Sequence, residues 1–554
     1  MMTSLSIQEL EEQLSELEQM IGRGGNHPFE SLSMRMRIRP EFEKIAKGYL
    51  SLATKQNNPD ARFRVIEVME MIRARDIGAH FIRTAPVGPD VRSPWPKNRY
   101  SINQQNRDDC YKNYDNGTLR TFYQSAINSP IVSNTHSQSN QVKLEWKNVN
   151  GSEILGLTNT IILHLAFVGE DLILACDSNL ELFFYGKDAI NDRRLRGNSF
   201  SDYGYTRERL EPNNIFFGPV VIPNCKNRIY EIAKELHTYV DKTNQSLKPK
   251  QWMELFKVLD EIVPYKDIMV SLKIWASERQ IMLDEICIVI VPDESLFLLP
   301  LSFLGASYGK PLITQVGGIS IGLSLLAMKW SASKYHWYTQ PNMSKMKAKC
   351  ALFIPGHIQN YAKLDTICEK LFIHDAFDKG ENVVIVDPAS RSDFASFYTA
   401  GDICWFAGHG TYDVSHYVMV GDEQMLLPVS GPTFNDGTIT NWDLITTSNW
   451  NFTPLWLMVM NCCVVGRSLY HGPNPLGFVS SLYNAGCISM VAPILPVSDK
   501  TANNFARIMS NNIVTNYGSN DFPRAKALSD TIKQAVGQGE DIWDYTPYTL
   551  WGLP

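Results

Sequence analysis

The chain has 554 residues, of which 44% are hydrophobic, 11% aromatic and 20% charged. That much apolar material builds a buried core and excludes a disordered chain or a disulfide-stapled mini-protein; at roughly 100–200 residues per domain it holds about three or four domains, or one large α/β unit with an appendage. A formal charge of −6, from 52 Lys+Arg against 58 Asp+Glu, argues against a dedicated duplex-binding protein, which needs a basic surface to displace counterions, so direct nucleic-acid binding is not expected.

The N-terminus runs from Met1-Met2-Thr3 into acidic Glu9, Glu11 and Glu12 instead of a basic-then-apolar signal. No apolar stretch reaches the roughly 18–20 residues that span a bilayer, so no membrane contact and a cytoplasmic location are expected. Ten cysteines are present, most of them single within apolar runs, and no Cys-x-x-Cys pair provides a zinc ribbon or a redox motif. One adjacent pair, Cys462-Cys463, breaks the pattern.

Ile7, Leu10, Leu14, Leu17 and Ile21 repeat at alternating spacings of three and four behind a Ser6-x-x-Glu9 capping box and before Gly24-Gly25. They predict one amphipathic helix docked on its own protein, too short for a coiled coil. Helical patterning resumes from Pro40 to Phe81, broken by an αα-hairpin turn at Asn57-Asn58-Pro59-Asp60, and residues 1–85 form a helical N-terminal region. No repeat copy supports a helical array. Residues 86–157 open with Pro86, Pro89, Pro94 and Pro96 and continue in Asn, Gln and Ser, the composition of a polar linker. The clusters Arg35/Arg37/Arg39 and Arg193/Arg194/Arg196 read as solvated or ion-paired faces.

Residues 158–280 start with β-type runs at Thr160–Phe167, Asp171–Cys176 and Leu180–Tyr185, an antiparallel meander, and continue with three helices. From 281 to 554 short apolar strands alternate with helices: Ile286–Val291, Cys350–Ile354, Val383–Val386, Ile403–Ala407, Leu455–Met460 and Cys487–Ala492. The fold class is therefore α/β, with a largely parallel sheet covered by helices on both faces and ligands at the carboxyl ends of its strands.

Two of those strand ends carry chemistry. Gly408-His409-Gly410 follows Ile403–Ala407, and Asn461-Cys462-Cys463 follows Leu455–Met460. If the two strands are neighbours, about 4.8 Å apart, an imidazole can take the proton of a thiol across the gap and later protonate a leaving amine. The amides of Gly410 and Cys463 are the obvious oxyanion donors. The histidine precedes the cysteine by a separation similar to the roughly 50 residues of caspases, although the caspase cysteine signature is absent. Of the other histidines, His357, His416 and His471 are read as structural.

These segments resemble the CHAT family of caspase-like cysteine peptidases, related to separase and the gingipains. Pro292-Asp293-Glu294-Ser295-Leu296 through Pro300-Leu301 is similar to the family's proline, acidic-turn and leucine-rich segment. Phe406-Ala407-Gly408-His409-Gly410 resembles its Ala-Thr-His-Gly motif, and Leu457 through Gly466 aligns with Leu-Val-Val-Leu-Ser-Ala-Cys-Glu-Thr-Gly. On that register Cys463 is the nucleophile and Cys462 stands at the family's alanine, while Val464 and Val465 replace Glu and Thr.

The resemblance implies a cysteine endopeptidase with His409 and Cys463 as its dyad, needing no metal or organic cofactor. By the same likeness, Asp499 is placed to select a basic side chain before the cleaved bond; a helix cap by Ser498 or Asp499 is the competing reading. The resemblance further implies a protein substrate, such as a gasdermin-like pore former or another protease, in bacterial defence or programmed cell death. A regulatory protein would dock at the N-terminal helices. The alternative class is a catalytically silent caspase-like scaffold.

Overall fold

In the computed structural model the described residues are 6–23, 28–56, 61, 64–65, 68–70, 159–177, 220–324, 328 and 347–554, the last range without 360, 365, 378–379, 421–422, 447–449, 453, 472–473 and 519–521. The expected hairpin turn at 57–60, the polar linker, the run Leu180–Tyr185 and the second arginine cluster lie outside them.

Helices α1 (Ile7–Arg23) and α2 (Pro28–Gln56) come first. The Ser6 hydroxyl accepts from the Glu9 amide at 3.2 Å and the Glu9 carboxylate accepts from the Ser6 amide at 2.6 Å, closing the expected capping box. Helix α2 begins at Pro28 and carries Pro40 in its interior, whereas the sequence suggested a start at Pro40. An interior proline costs about 3 kcal/mol, and the buried row of Ile38, Phe42, Ile45, Tyr49 and Leu52 around it offsets that by packing.

Strands β1 (Thr160–Val168), β2 (Asp171–Asp177) and β3 (Val220–Ile222) form an antiparallel meander. Helices α3 (Lys226–Thr243), α4 (Pro249–Ile262) and α5 (Tyr265–Arg279) follow, then β4 (Cys287–Val291), β5 (Gly318–Ile321) and β6 (Cys350–Pro355). Next come α6 (Thr366–Ala376), β7 (Val383–Ala389), α7 (Arg391–Phe397) and β8 (Ile403–Ala407). A long hairpin, β9 (His409–Val420) and β10 (Glu423–Phe434), precedes β11 (Gly437–Thr438), α8 (Asn441–Thr446) and β12 (Leu457–Asn461). After the small pair β13 (Ser468–His471) and β14 (Asn474–Gly477) the chain ends in α9 (Phe478–Asn484), β15 (Ser489–Pro493), α10 (Asp499–Asn516), α11 (Pro523–Gly537) and β16 (Tyr548–Gly552).

Eleven strands make one sheet in the order β3-β2-β1-β4-β5-β16-β15-β12-β8-β6-β7. It is largely parallel, with antiparallel pairing confined to the meander and to β15–β16. The α/β architecture read from the sequence is thus present. Strands β4, β8 and β12 are buried at every position, as continuous apolar runs covered on both faces should be.

Period-2 alternation splits the meander between two cores. Leu163, Leu165, Leu172 and Leu174 face the main core, while Ala166, Val168, Ile173 and Ala175 pack under Leu10, Leu14, Phe42 and Ile45 of the N-terminal helices. Helix α1 is therefore docked on its own protein. Arg39 of α2 is buried and ion-paired: it lies 2.8 Å from Asp293, 2.9 Å from Glu294 and 2.7 Å from Glu43. The side chains of Arg35 and Arg37 lie outside the description.

Candidate active site

Strands β8 and β12 are parallel neighbours, with Leu457 opposite Ile403 and Asn461 opposite Ala407. His409 and Cys463 each stand two residues beyond that last pair, so they leave the sheet at the same level. The chain steps outward from β6 to the edge strand β7 and then returns to β8 on the other side of β6. Such a reversal opens a crevice between the loops at the carboxyl ends of the strands, the usual ligand position in this architecture.

A small cleft lies there, lined by Leu364, Thr366, Glu369, Gly408, His409, Asn461, Cys462, Cys463, Val497, Asp499, Ala502 and Asn503. Its walls come from the ends of four consecutive parallel strands: β6 sends Leu364 and α6, β8 sends His409, β12 sends the cysteines, and β15 sends Val497 and the start of α10.

The His409 ring is fixed from one side. Its Nε2 lies 2.8 Å from the Ala362 carbonyl, which can only accept, so Nε2 carries the proton and Nδ1 is left as the basic nitrogen. Tyr361 stacks at a tilt on the imidazole, ring centres 4.7 Å apart, and its hydroxyl lies 3.2 Å from that of Thr411. The Cys463 thiol donates to the Val497 carbonyl at 3.5 Å and accepts from the Val497 amide at 3.4 Å. Burial raises its pKa, so the thiol is neutral at rest. Cys462 is buried beneath and its pKa is raised further by desolvation.

Backbone constraints converge on the same spot. Gly410 lies so close to the Cys463 loop that a methyl group there would collide with the Cys463 carbonyl oxygen and the Val465 side chain. Val464 has φ 55°, a left-handed conformation that a β-branched residue adopts only under constraint, directly after Cys463. Arg467 closes the loop by donating to Asp241 of α3 at 2.5 and 3.0 Å and stacking over Tyr412, 4.3 Å from its ring centre.

Residues 277–551 match the CHAT domain family. This part of the chain is a CHAT domain. A search of curated proteins finds no match. Among solved structures the chain is similar to separase in the Saccharomyces cerevisiae separase–securin complex, at 13% identity and TM-score 0.45 over 100% of this chain and 38% of that one. A second structure of that complex gives 12% identity and TM-score 0.47, over 99% and 37%. The complex of Porphyromonas gingivalis RgpB pro- and mature domains gives 12% identity and TM-score 0.35, over 58% and 71%. The chain thus spans less than two fifths of the separase chains it resembles.

The CHAT domain brings His409, Cys463 and Asp499 to one cleft and sets Gly410 against the Cys463 backbone. Ser498 is the cap of α10, its hydroxyl accepting from the Thr501 amide at 3.1 Å, which leaves Asp499 exposed in the first turn at the cleft rim. His357 is exposed outside the cleft lining; the side chains of His416 and His471 lie outside the description.

Two participants were not found by sequence reasoning. Ala362 acts through its carbonyl, which any residue type supplies. Glu369 sits on α6, where a glutamate ordinarily faces water, yet it is 4% exposed. One of its oxygens accepts from Trp405 Nε1 at 2.8 Å and from Asn461 Nδ2 at 2.7 Å, and Tyr548 donates to Asn461 at 2.7 Å. Burial pushes the Glu369 carboxyl up to about 8. Among the described residues no helix is long and apolar enough to cross a membrane.

Proposed function

We propose that this chain is a cysteine endopeptidase working through a His409–Cys463 dyad. The observation that carries the reading is the strand register, which sets His409 and Cys463 at one level on adjacent parallel strands over a shared cleft. In the reaction, the Cys463 thiol turns from Val497 towards the imidazole and His409 Nδ1 takes its proton. The thiolate adds to the scissile carbonyl, and the Gly410 and Cys463 amides hold the oxyanion. The protonated His409 then passes its proton to the departing amine, and water hydrolyses the thioester. Asp499 reads a basic side chain on the residue before the cleaved bond. By family likeness the substrate is a protein in bacterial defence or programmed cell death, with control exerted by a partner at the N-terminal helices.

One observation favours a second reading, a silent scaffold: the resting thiol is neutral and hydrogen-bonded to Val497, with no hydrogen bond between His409 and Cys463. Catalytic hydrogen bonds are often loose before substrate binds, which keeps the first reading ahead. Peptide-library cleavage separates the two. Wild type and Cys462→Ala are expected to cleave, and Cys463→Ala to be inactive. Equal cleavage by Cys463→Ala would overturn the assignment, and no cleavage by wild type would leave the scaffold.

A further inference from the structure

Among the described residues the cleft is lined by two carboxyl groups, Glu369 and Asp499, and by no lysine or arginine. Asp499 stands exposed at the rim. Glu369 is the buried one. Its Oε1 accepts both hydrogen bonds, from Trp405 and Asn461, while its Oε2 accepts none and yet is not sealed from the cleft. A carboxyl oxygen at a cleft wall that makes no hydrogen bond within the protein is left to pair with a donor on a ligand.

We propose that Glu369 is a second specificity residue of this cleft: its free oxygen receives the cationic end of the side chain preceding the cleaved bond, which Asp499 engages at the rim. The inference rests on the peptidase reading and extends it to a residue that sequence motifs do not mark. A guanidinium is the cation best suited, since it offers several donors in one plane and sheds water more readily than an ammonium.

The location of Glu369 makes this recognition depend on pH. The titratable groups facing it are Asp499 from α10, Cys462 and Cys463 after β12, His409 at the start of β9, and Tyr548 from β16. On its own helix Lys370 is held by Asp387 of β7 at 2.8 Å. Burial keeps Glu369 protonated at neutral pH in the empty cleft, and a bound guanidinium must displace that proton. Discrimination between a cationic residue and a neutral isostere therefore strengthens as pH rises.

The test compares kcat/KM for two peptides that differ only in arginine or citrulline before the cleaved bond, between about pH 6 and about pH 9. Titration of the dyad cancels in the ratio. For wild type the arginine:citrulline ratio is expected to climb with pH. In Glu369→Gln, which keeps an acceptor for Trp405 and Asn461, it should be about 10- to 100-fold lower at the alkaline end and independent of pH. Asp499→Asn should lower the ratio throughout while leaving the rise in place. A ratio that is flat in wild type, or unchanged in Glu369→Gln, overturns the proposal and leaves the peptidase reading standing. A binding arm uses labelled forms of both peptides with Cys463→Ala and with Cys463→Ala/Glu369→Gln. Preference for arginine that needs Glu369, together with no cleavage of either peptide by wild type, would sink the peptidase reading and leave Glu369 only as a cation-binding group; no preference sinks the proposal.

Discussion

At the scale of single residues, the space between the strand ends at β8 and β12 decides whether a histidine and a cysteine can work together. Gly410 is the tightest point. Its missing side chain lets its backbone pass against the Cys463 carbonyl, and a methyl group there meets main-chain atoms that cannot rotate away. Gly410→Ala must therefore push the His409 strand and the Cys463 loop apart. Misplacement by about 1 Å costs roughly 100-fold in rate, so a loss of that order in kcat/KM is expected with the overall fold retained by circular dichroism. Gly537→Ala is the control: a methyl there meets nothing within 4 Å, and the variant should keep full activity. If Gly410→Ala also keeps it, the approach of the two strands is not what assembles the site.

At the scale of elements, Glu369 joins α6 to β8 through Trp405 and to β12 through Asn461, and its proton affects how firmly they hold. The sign follows from linkage. The folded-state value of about 8 lies above the ordinary 4.5, so over that range the native state keeps a proton that the unfolded chain has lost. The associated stability is complete below about pH 4.5 and is lost as pH rises through about 8, at up to about 1.4 kcal/mol per pH unit. Urea midpoints at about pH 5 and about pH 7.5 should fall for wild type relative to Glu369→Gln; other carboxyls raised by burial, such as Asp267, cancel in that comparison. Parallel slopes would mean that Glu369 titrates normally. The contrast between Glu369 and its neighbours also marks the limit of sequence reading here. Strands β8 and β12 were legible because burial on both faces leaves unbroken apolar runs, and the dyad candidates were legible because they end those runs. The hairpin β9–β10 was not, since Pro428 and Pro432 interrupt its second strand and speak against one. Strand β16 reaches the centre of the sheet from the far end of the chain, where it runs antiparallel to β15. Local pattern carries no trace of such a partner.

At the scale of the whole molecule, the N-terminal helices and the CHAT domain are joined by one buried charge cluster. Arg39 of α2 meets Asp293 and Glu294 in the turn after β4, the Phe167 amide of β1 donates to the same Asp293 at 2.9 Å, and Lys226 of α3 reaches Glu294 at 2.8 Å. Asp293 is fully buried, and the Arg39 guanidinium helps to compensate both carboxylates, sharing Glu294 with Lys226. A buried pair of this kind adds little net stability over an apolar replacement, but removing one partner strands the other. Arg39→Ala is therefore expected to destabilise the protein by about 3–5 kcal/mol, with little dependence on salt because the pair is shielded from solvent. Arg228→Ala breaks an exposed pair with Glu261 at 3.2 Å and should cost under about 1 kcal/mol, less still at high salt. Hydrogen exchange locates the effect. The variant should lose protection first in α2 and along β1, whose apolar positions Ala166 and Val168 lie under the N-terminal helices, while β8 and β12 keep theirs. Loss spread evenly over the sheet, or a cost no larger than that of Arg228→Ala, would show that apolar packing alone holds the two parts together.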